Sequence, residues 1–170
     1  MKKITLLLFL LIAGLSGTMG QEAAPRAKFL YQMTRYASWN TKSTTETSLV
    51  ITVVGQEDVA NELRKIVKGK TVMGLPVKVA SVSKVTSLPT SDVVYVAQEF
   101  AKDIPDIIKD QRNRQILIIG GDRGMCASGA SMSMVPQSGN KFGFEWSKAN
   151  MASGKVQISP KVLAYGSEVN

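Results

Sequence analysis

The segment of this chain best suited to hold a ligand is Gly120-Gly121-Asp122-Arg123-Gly124. Its three glycines let backbone amides approach an anion closely, and Arg123 adds positive charge. It follows neither G-x-x-x-x-G-K-S/T nor G-x-G-x-x-G, so both nucleotide-binding patterns are absent. A turn that needs positive φ explains the same glycines. A second group is sulfur-rich: Met125, Cys126, Met132, Met134 and Met151. Thioethers with a thiolate suit Cu(I). Met132 and Met134, however, alternate with Ser131 and Ser133 on one face of a strand, where they fill a core. Cys126 reads as a reactive thiol, as a partner for a second chain, or, beside its apolar neighbours, as an inert buried side chain. Ser147-Lys148 has the residue types of a Ser-Lys hydrolase, yet neighbours in an extended segment point to opposite faces. No pair among the acids has the spacing of a general acid and base.

The tally of residues narrows the chemistry further. The 170 residues include 21 Lys and Arg, 13 Asp and Glu, one cysteine and no histidine. Without imidazole there is no Ser-His-Asp or Cys-His set and no His-ligated zinc, haem or copper. One cysteine closes no intrachain disulfide and builds no thiolate cage. We expect neither a metal nor a cofactor, and no enzymatic activity.

The elements that would position these residues follow from pattern. Residues 1–20 have a charged start at Lys2-Lys3, an apolar stretch from Ile4 to Leu15 and a small-residue zone ending at Gly20. The pattern predicts a secretory signal cleaved after Gly20, with an uncleaved N-terminal anchor as the alternative, which the apolar stretch, too short to span a bilayer, disfavours. We therefore expect a periplasmic protein. Loss of Lys2 and Lys3 lowers the net charge from +8 to +6. A basic surface attracts anionic membranes, acidic partners or phosphate-bearing ligands, or simply aids solubility. Nucleic acid fits poorly, because no Lys/Arg run interleaves with aromatics.

From Glu22 the periodicity predicts a helix ending near Trp39, with Phe29, Met33, Tyr36 and Ala37 on one face and Arg26, Lys28, Gln32 and Arg35 on the other. An exposed loop follows over 41–48. Strands are expected at 49–54, 77–82 (an edge strand), 92–96 and 115–119. Helices are expected at 57–68, ended by Gly69, and around Ile104–Ile108, with Pro105 in the first turn. Strand-then-helix units in series predict an α/β fold, a three-layer sandwich with a mostly parallel sheet and helices on both faces. Residues 130–135 and 142–146 alternate and read as a C-terminal antiparallel hairpin at the sheet's edge. Short helices near 149–152 and 160–165 complete one domain spanning 21–170.

Several segments, in order, resemble one family along nearly the whole mature chain. They are Phe29 to Trp39, Gly55, Gly69 to Val77, Asp92 to Val96, Gly124 to Met134, Phe142 to Trp146 and Val156 to Ala164. The chain is similar to the YfiR/HmsC-like exported proteins. That resemblance implies a three-layer α/β domain, often dimeric, that acts in the periplasm without catalysing a reaction. Its best-known members repress an inner-membrane diguanylate cyclase by binding its periplasmic sensor domain, and so control cyclic-di-GMP output and biofilm formation. Two departures stand out. Those members carry paired cysteines whose disulfides tie stability to envelope redox state, whereas Cys126 stands alone here. Where the family commonly has Asn after its Phe-Glu strand, this chain has Ser147.

The expected function is thus a non-enzymatic periplasmic regulator that binds the extracytoplasmic domain of an inner-membrane signalling protein, a diguanylate cyclase or a sensor kinase. Arg35, Tyr36 and Trp39 are the expected docking residues, with Trp146 a second candidate, since interfaces centre on aromatic and Arg anchors. The competing expectation is a binding protein for a small anionic ligand, held at Gly120, Gly121, Asp122, Arg123 and Gly124.

Overall fold

Side chains alternate across the central strands, and each side meets its own layer of helices. In the computed structural model, residues 22–40 and 47–170 are described; the expected signal segment and most of the expected loop lie outside them. In chain order the elements are α1 (Ala23–Tyr36), β1 (Ala37–Trp39), β2 (Leu49–Val54), α2 (Glu57–Val67), β3 (Thr71–Val72), β4 (Leu75–Val82) and β5 (Val93–Val96). There follow α3 (Ile104–Asp110), β6 (Leu117–Gly120), β7 (Met132–Gln137), β8 (Lys141–Trp146), α4 (Lys148–Ser153), β9 (Val156–Ile158), α5 (Pro160–Leu163) and β10 (Ser167–Glu168). Short 3₁₀ turns cover Val85–Ser87, Gln98–Asp103 and Met125–Ser128.

Eight strands form one sheet in the order β10-β8-β7-β6-β5-β2-β4-β3. The pairs β4–β2, β2–β5, β5–β6, β6–β7 and β8–β10 are parallel, and β7–β8 and β3–β4 are antiparallel. This is the mixed α/β architecture that the strand-helix succession predicts. The hairpin β7–β8 sits one strand in from the edge, because β10 adds outside β8.

Leu49, Ile51, Val53, Val93, Tyr95, Leu117 and Ile119 join α1 and α2 in one apolar core. Val54, Val94, Val96 and Ile118 join Ile104 and Ile107 of α3 in a second, on the other face. Each such fully buried aliphatic side chain contributes about 1.5–3 kcal/mol. Thr52, a polar residue within this layer, shares a hydrogen bond of 2.7 Å with Ser91 Oγ, so its burial leaves no hydroxyl unsatisfied.

The first helix ends earlier than periodicity predicts. It stops at Tyr36, and Ala37-Ser38-Trp39 pair antiparallel with Val156-Gln157-Ile158 as a separate ribbon. The competing force is non-local: a strand ladder closes with β9, which no local pattern displays.

Candidate functional site

From β2 the chain crosses through α2 to β4 on one side, whereas from β5 it crosses through α3 to β6 on the other. The connections therefore diverge between the carboxyl ends of β2 and β5, the place where open α/β sheets form their crevice. An open cleft of about 770 Å³ lies there, bordered by Arg26, Gly55, Gln56, Glu57, Asp58 and Glu99. Gly55 turns the chain out of β2 at φ +90°, and a Cβ on it would stand 2.6 Å from the Phe100 ring, so only glycine fits.

Beneath the cleft is a buried polar network. Tyr95, the third residue of β5, is fully buried and donates its hydroxyl to Gln56 Oε1 at 2.6 Å. Arg26 of α1 reaches over it: Nη1 donates to the Tyr95 hydroxyl at 3.4 Å and to the Gly121 carbonyl, and Nη2 pairs with Glu22 Oε2 at 2.7 Å. The guanidinium also lies 4.9 Å from the Phe142 ring centroid, a cation–π distance. Burial pushes the Tyr95 phenol up to about 12, the Arg26 charge opposing only part of that shift. Burial also works against the Arg26 charge, but Tyr95 and Glu22 outweigh it and hold its pKa above the ordinary value. At neutral pH the pair is a protonated phenol and a fixed cation, which tie α1 to the ends of β5 and β6 rather than move protons. Around the cleft, Glu22, Glu57, Asp58 and Glu99 leave a field that disfavours an anionic solute.

The glycine-rich turn is already occupied from within. Gly121 N–H donates to Val96 O at 2.8 Å, Arg123 N–H to Asp122 Oδ1 at 2.7 Å, and Gly124 N–H to the carboxylate of Glu145. Packing accounts for two of its glycines. A Cβ at Gly120 would lie 2.5 Å from Met125 Cβ, and one at Gly121 would lie 2.5 Å from the Tyr95 hydroxyl. Gly124 takes φ +83°, the turn requirement itself. Arg123 projects from the turn as an exposed residue.

The sulfur-rich group does not assemble. Met132, Met134 and Met151 belong to the core under α1 and α2, and Met125 belongs to the core under α3. Cys126 is buried, accepts a hydrogen bond from Ser133 Oγ at 3.3 Å, and has its thiol pKa raised by burial. Ser147 caps α4 by accepting from Asn150 N–H at 3.4 Å, while Lys148 is exposed, so that pair is split between capping and solvent.

Of the expected docking residues, Arg35 is exposed and Tyr36 is 47% exposed, whereas Trp39 is 4% exposed and packs in the core. Trp146 is half-buried at the end of β8, and its indole N–H is buried with no hydrogen-bond partner among the described residues. Tyr31, which is not among the expected docking residues, joins Arg35: its ring lies 5.9 Å from the Arg35 guanidinium and 4.9 Å from Lys70 Nζ. Arg26 and Tyr95 also lie outside the expected site residues, although Arg26 precedes Phe29 by three residues and Met33 by seven, the spacing of the buried stripe.

No curated protein matches the sequence. Residues 23–166, from the first residue of α1 to the loop before β10, match the YfiR/HmsC-like family. The match takes in the buried Arg26–Tyr95 network, the Glu145-filled turn and the exposed end of α1, and the chain belongs to the YfiR/HmsC-like family.

Proposed function

We propose that the chain is a non-catalytic periplasmic regulator that binds and represses the extracytoplasmic domain of an inner-membrane signalling protein, a diguanylate cyclase or a sensor kinase. The observation that carries this reading is the family match over residues 23–166. The exposed carboxyl end of α1 supplies the docking surface: Tyr36 offers an aromatic anchor and Arg35 a charge beside it, on a helix held rigidly to the sheet. Binding shifts the partner between its states only by the difference in affinity for them, so repression follows if the inactive state is bound more tightly. The glycine-rich turn takes no anion in this reading, because Glu145 occupies it.

The test is capture of the purified extracytoplasmic domain of the membrane signalling protein encoded beside this one. Arg35→Glu combined with Tyr36→Ala should weaken capture at least about tenfold with little change in unfolding midpoint, as for exposed interface anchors. Trp39→Ala should instead destabilise the fold by about 3–5 kcal/mol, the range for a buried aromatic. Undiminished capture by the double variant would remove this face from the interface.

A further inference from the structure

We infer that the outer edge of β4 is a docking site for an acidic, extended segment of a partner protein, which would add to the sheet as a further strand. This inference rests on the reading of the chain as a docking regulator and names a second part of its surface. Residues Leu49–Val54 pair with Val77–Val82 along one side of β4, whereas on the other side β3 covers only Leu75 and Pro76. Gly55 N–H donates to Val82 O, so the even-numbered residues of β4 turn their backbone groups toward β2. The odd-numbered residues turn outward, and Val77 shows it by donating to Lys70 O at 3.4 Å. The outward N–H and C=O of Val79 and Ser81 follow in line, with no strand beside them among the described residues. An open row of this kind is a template for strand addition.

Beside it runs a groove of about 340 Å³ with an apolar floor of Val67, Val77 and Val79 and a basic rim of Arg64, Lys68 and Lys70. Lys78 and Lys84 add exposed charge along the same edge. Glu57 there is already engaged by Arg64 at 2.7 Å. Among the described residues no acid pairs with Lys68, Lys70, Lys78 or Lys84. A second copy of this chain would bring the same cations face to face, so charge selects against self-pairing and for an acidic strand. The edge is also continuous with the end of α1, because Lys70 lies over Tyr31 and Tyr31 under Arg35.

The probe is a short synthetic peptide of alternating Glu and Val, titrated onto the mature chain by fluorescence anisotropy and followed by amide hydrogen exchange. We expect binding that weakens with salt and protection of the Val79 and Ser81 amides by at least about tenfold. Val79→Pro, which removes an outward N–H without touching the β2 ladder, and separately Lys68→Glu with Lys78→Glu should each weaken binding about tenfold or more. The charge variant lies wholly on the surface, so it keeps the test alive if the proline variant unfolds. Equal binding of a Lys-Val peptide, or protection of Val79 and Ser81 in the free chain that grows with protein concentration, would overturn the inference. So would full repression of signalling in cells by the Lys68→Glu, Lys78→Glu chain, an outcome that leaves the regulator itself intact. If the wild-type chain represses nothing yet binds the acidic peptide at these amides, the edge stands and the regulatory reading falls.

Discussion

Replacing Arg26 with Met tests whether the buried network holds α1 to the sheet. Met keeps the apolar stem and removes the guanidinium. A charged donor to a buried carbonyl contributes about 1.5–3 kcal/mol, which covers the bond to Gly121 O. The Phe142 contact at 4.9 Å adds about 1 kcal/mol. The Glu22 pair, whose acid side chain is 49% exposed, adds about 0.5 kcal/mol. Returning the guanidinium to water recovers part of its desolvation cost, so the net loss is about 2–3 kcal/mol. Urea unfolding of residues 21–170 reads this directly, and the midpoint temperature should fall by about 5–10 °C for a domain of this size. Glu22→Gln is the control and should cost about 0.5 kcal/mol or less, because its partner keeps the Gly121 and Tyr95 contacts. If Arg26→Met were within about 0.5 kcal/mol of the parent, or if Glu22→Gln cost as much, the tether would not act as described.

Three further outcomes follow from the same geometry. The fold favours the neutral Tyr95 phenol, with a pKa of about 12 against an ordinary 10, so its stabilisation is whole below pH 10 and is lost as pH rises toward 12. Relative to Tyr95→Phe, the parent should lose about 1.4 kcal/mol between pH 8 and pH 11 in denaturant titrations; parallel pH profiles would contradict this. Gly121→Ala would place a Cβ 2.5 Å from the Tyr95 hydroxyl and 3.2 Å from Val96 O, and calorimetry should show a loss of about 1–3 kcal/mol. Cys126 is buried and unpaired, so a thiol reagent should modify the native chain about two orders of magnitude more slowly than the unfolded one, and reductant should leave the unfolding midpoint unchanged.

What was legible in the sequence divides along physical lines. The β2 run and the helix after it appear where their periods place them, because a strand buried on both faces and an amphipathic helix are each written into local residue order. β1, β9 and β10 are two or three residues long and owe their existence to partners far along the chain, which local order does not record. The candidate site failed in a different way. Its charge assigns Arg26 to the polar face of α1, although its position within the turn lies on the buried stripe with Phe29, Leu30 and Met33. Charge and periodicity conflict there, and the partners that settle the conflict, Tyr95 and Gly121 O, lie 69 and 95 residues away. The glycine-rich turn offers two readings in sequence, an anion site or a plain turn needing positive φ, and local order does not record that the chain's own Glu145 carboxylate accepts from Gly124 N–H.

The buried network bears on docking through the helix it holds. α1 has 14 residues; its first turn is bound to the sheet ends by Arg26, and its last residue leads without a loop into β1, which is laddered to β9. Tyr36 O accepts from Ser159 N–H at 3.1 Å, closing that junction. Arg35 and Tyr36 therefore sit on a helix fixed at both ends. A surface held this way loses little freedom when a partner settles on it, so more of the contact energy appears as affinity. Loosening the far end should therefore weaken docking at the near end. Arg26→Met, which touches neither Arg35 nor Tyr36, should lower affinity for the proposed signalling partner mainly by slowing capture, with a smaller effect on release. An unchanged association rate in a variant that has lost the expected stability would show that α1 stays in place without its anchor.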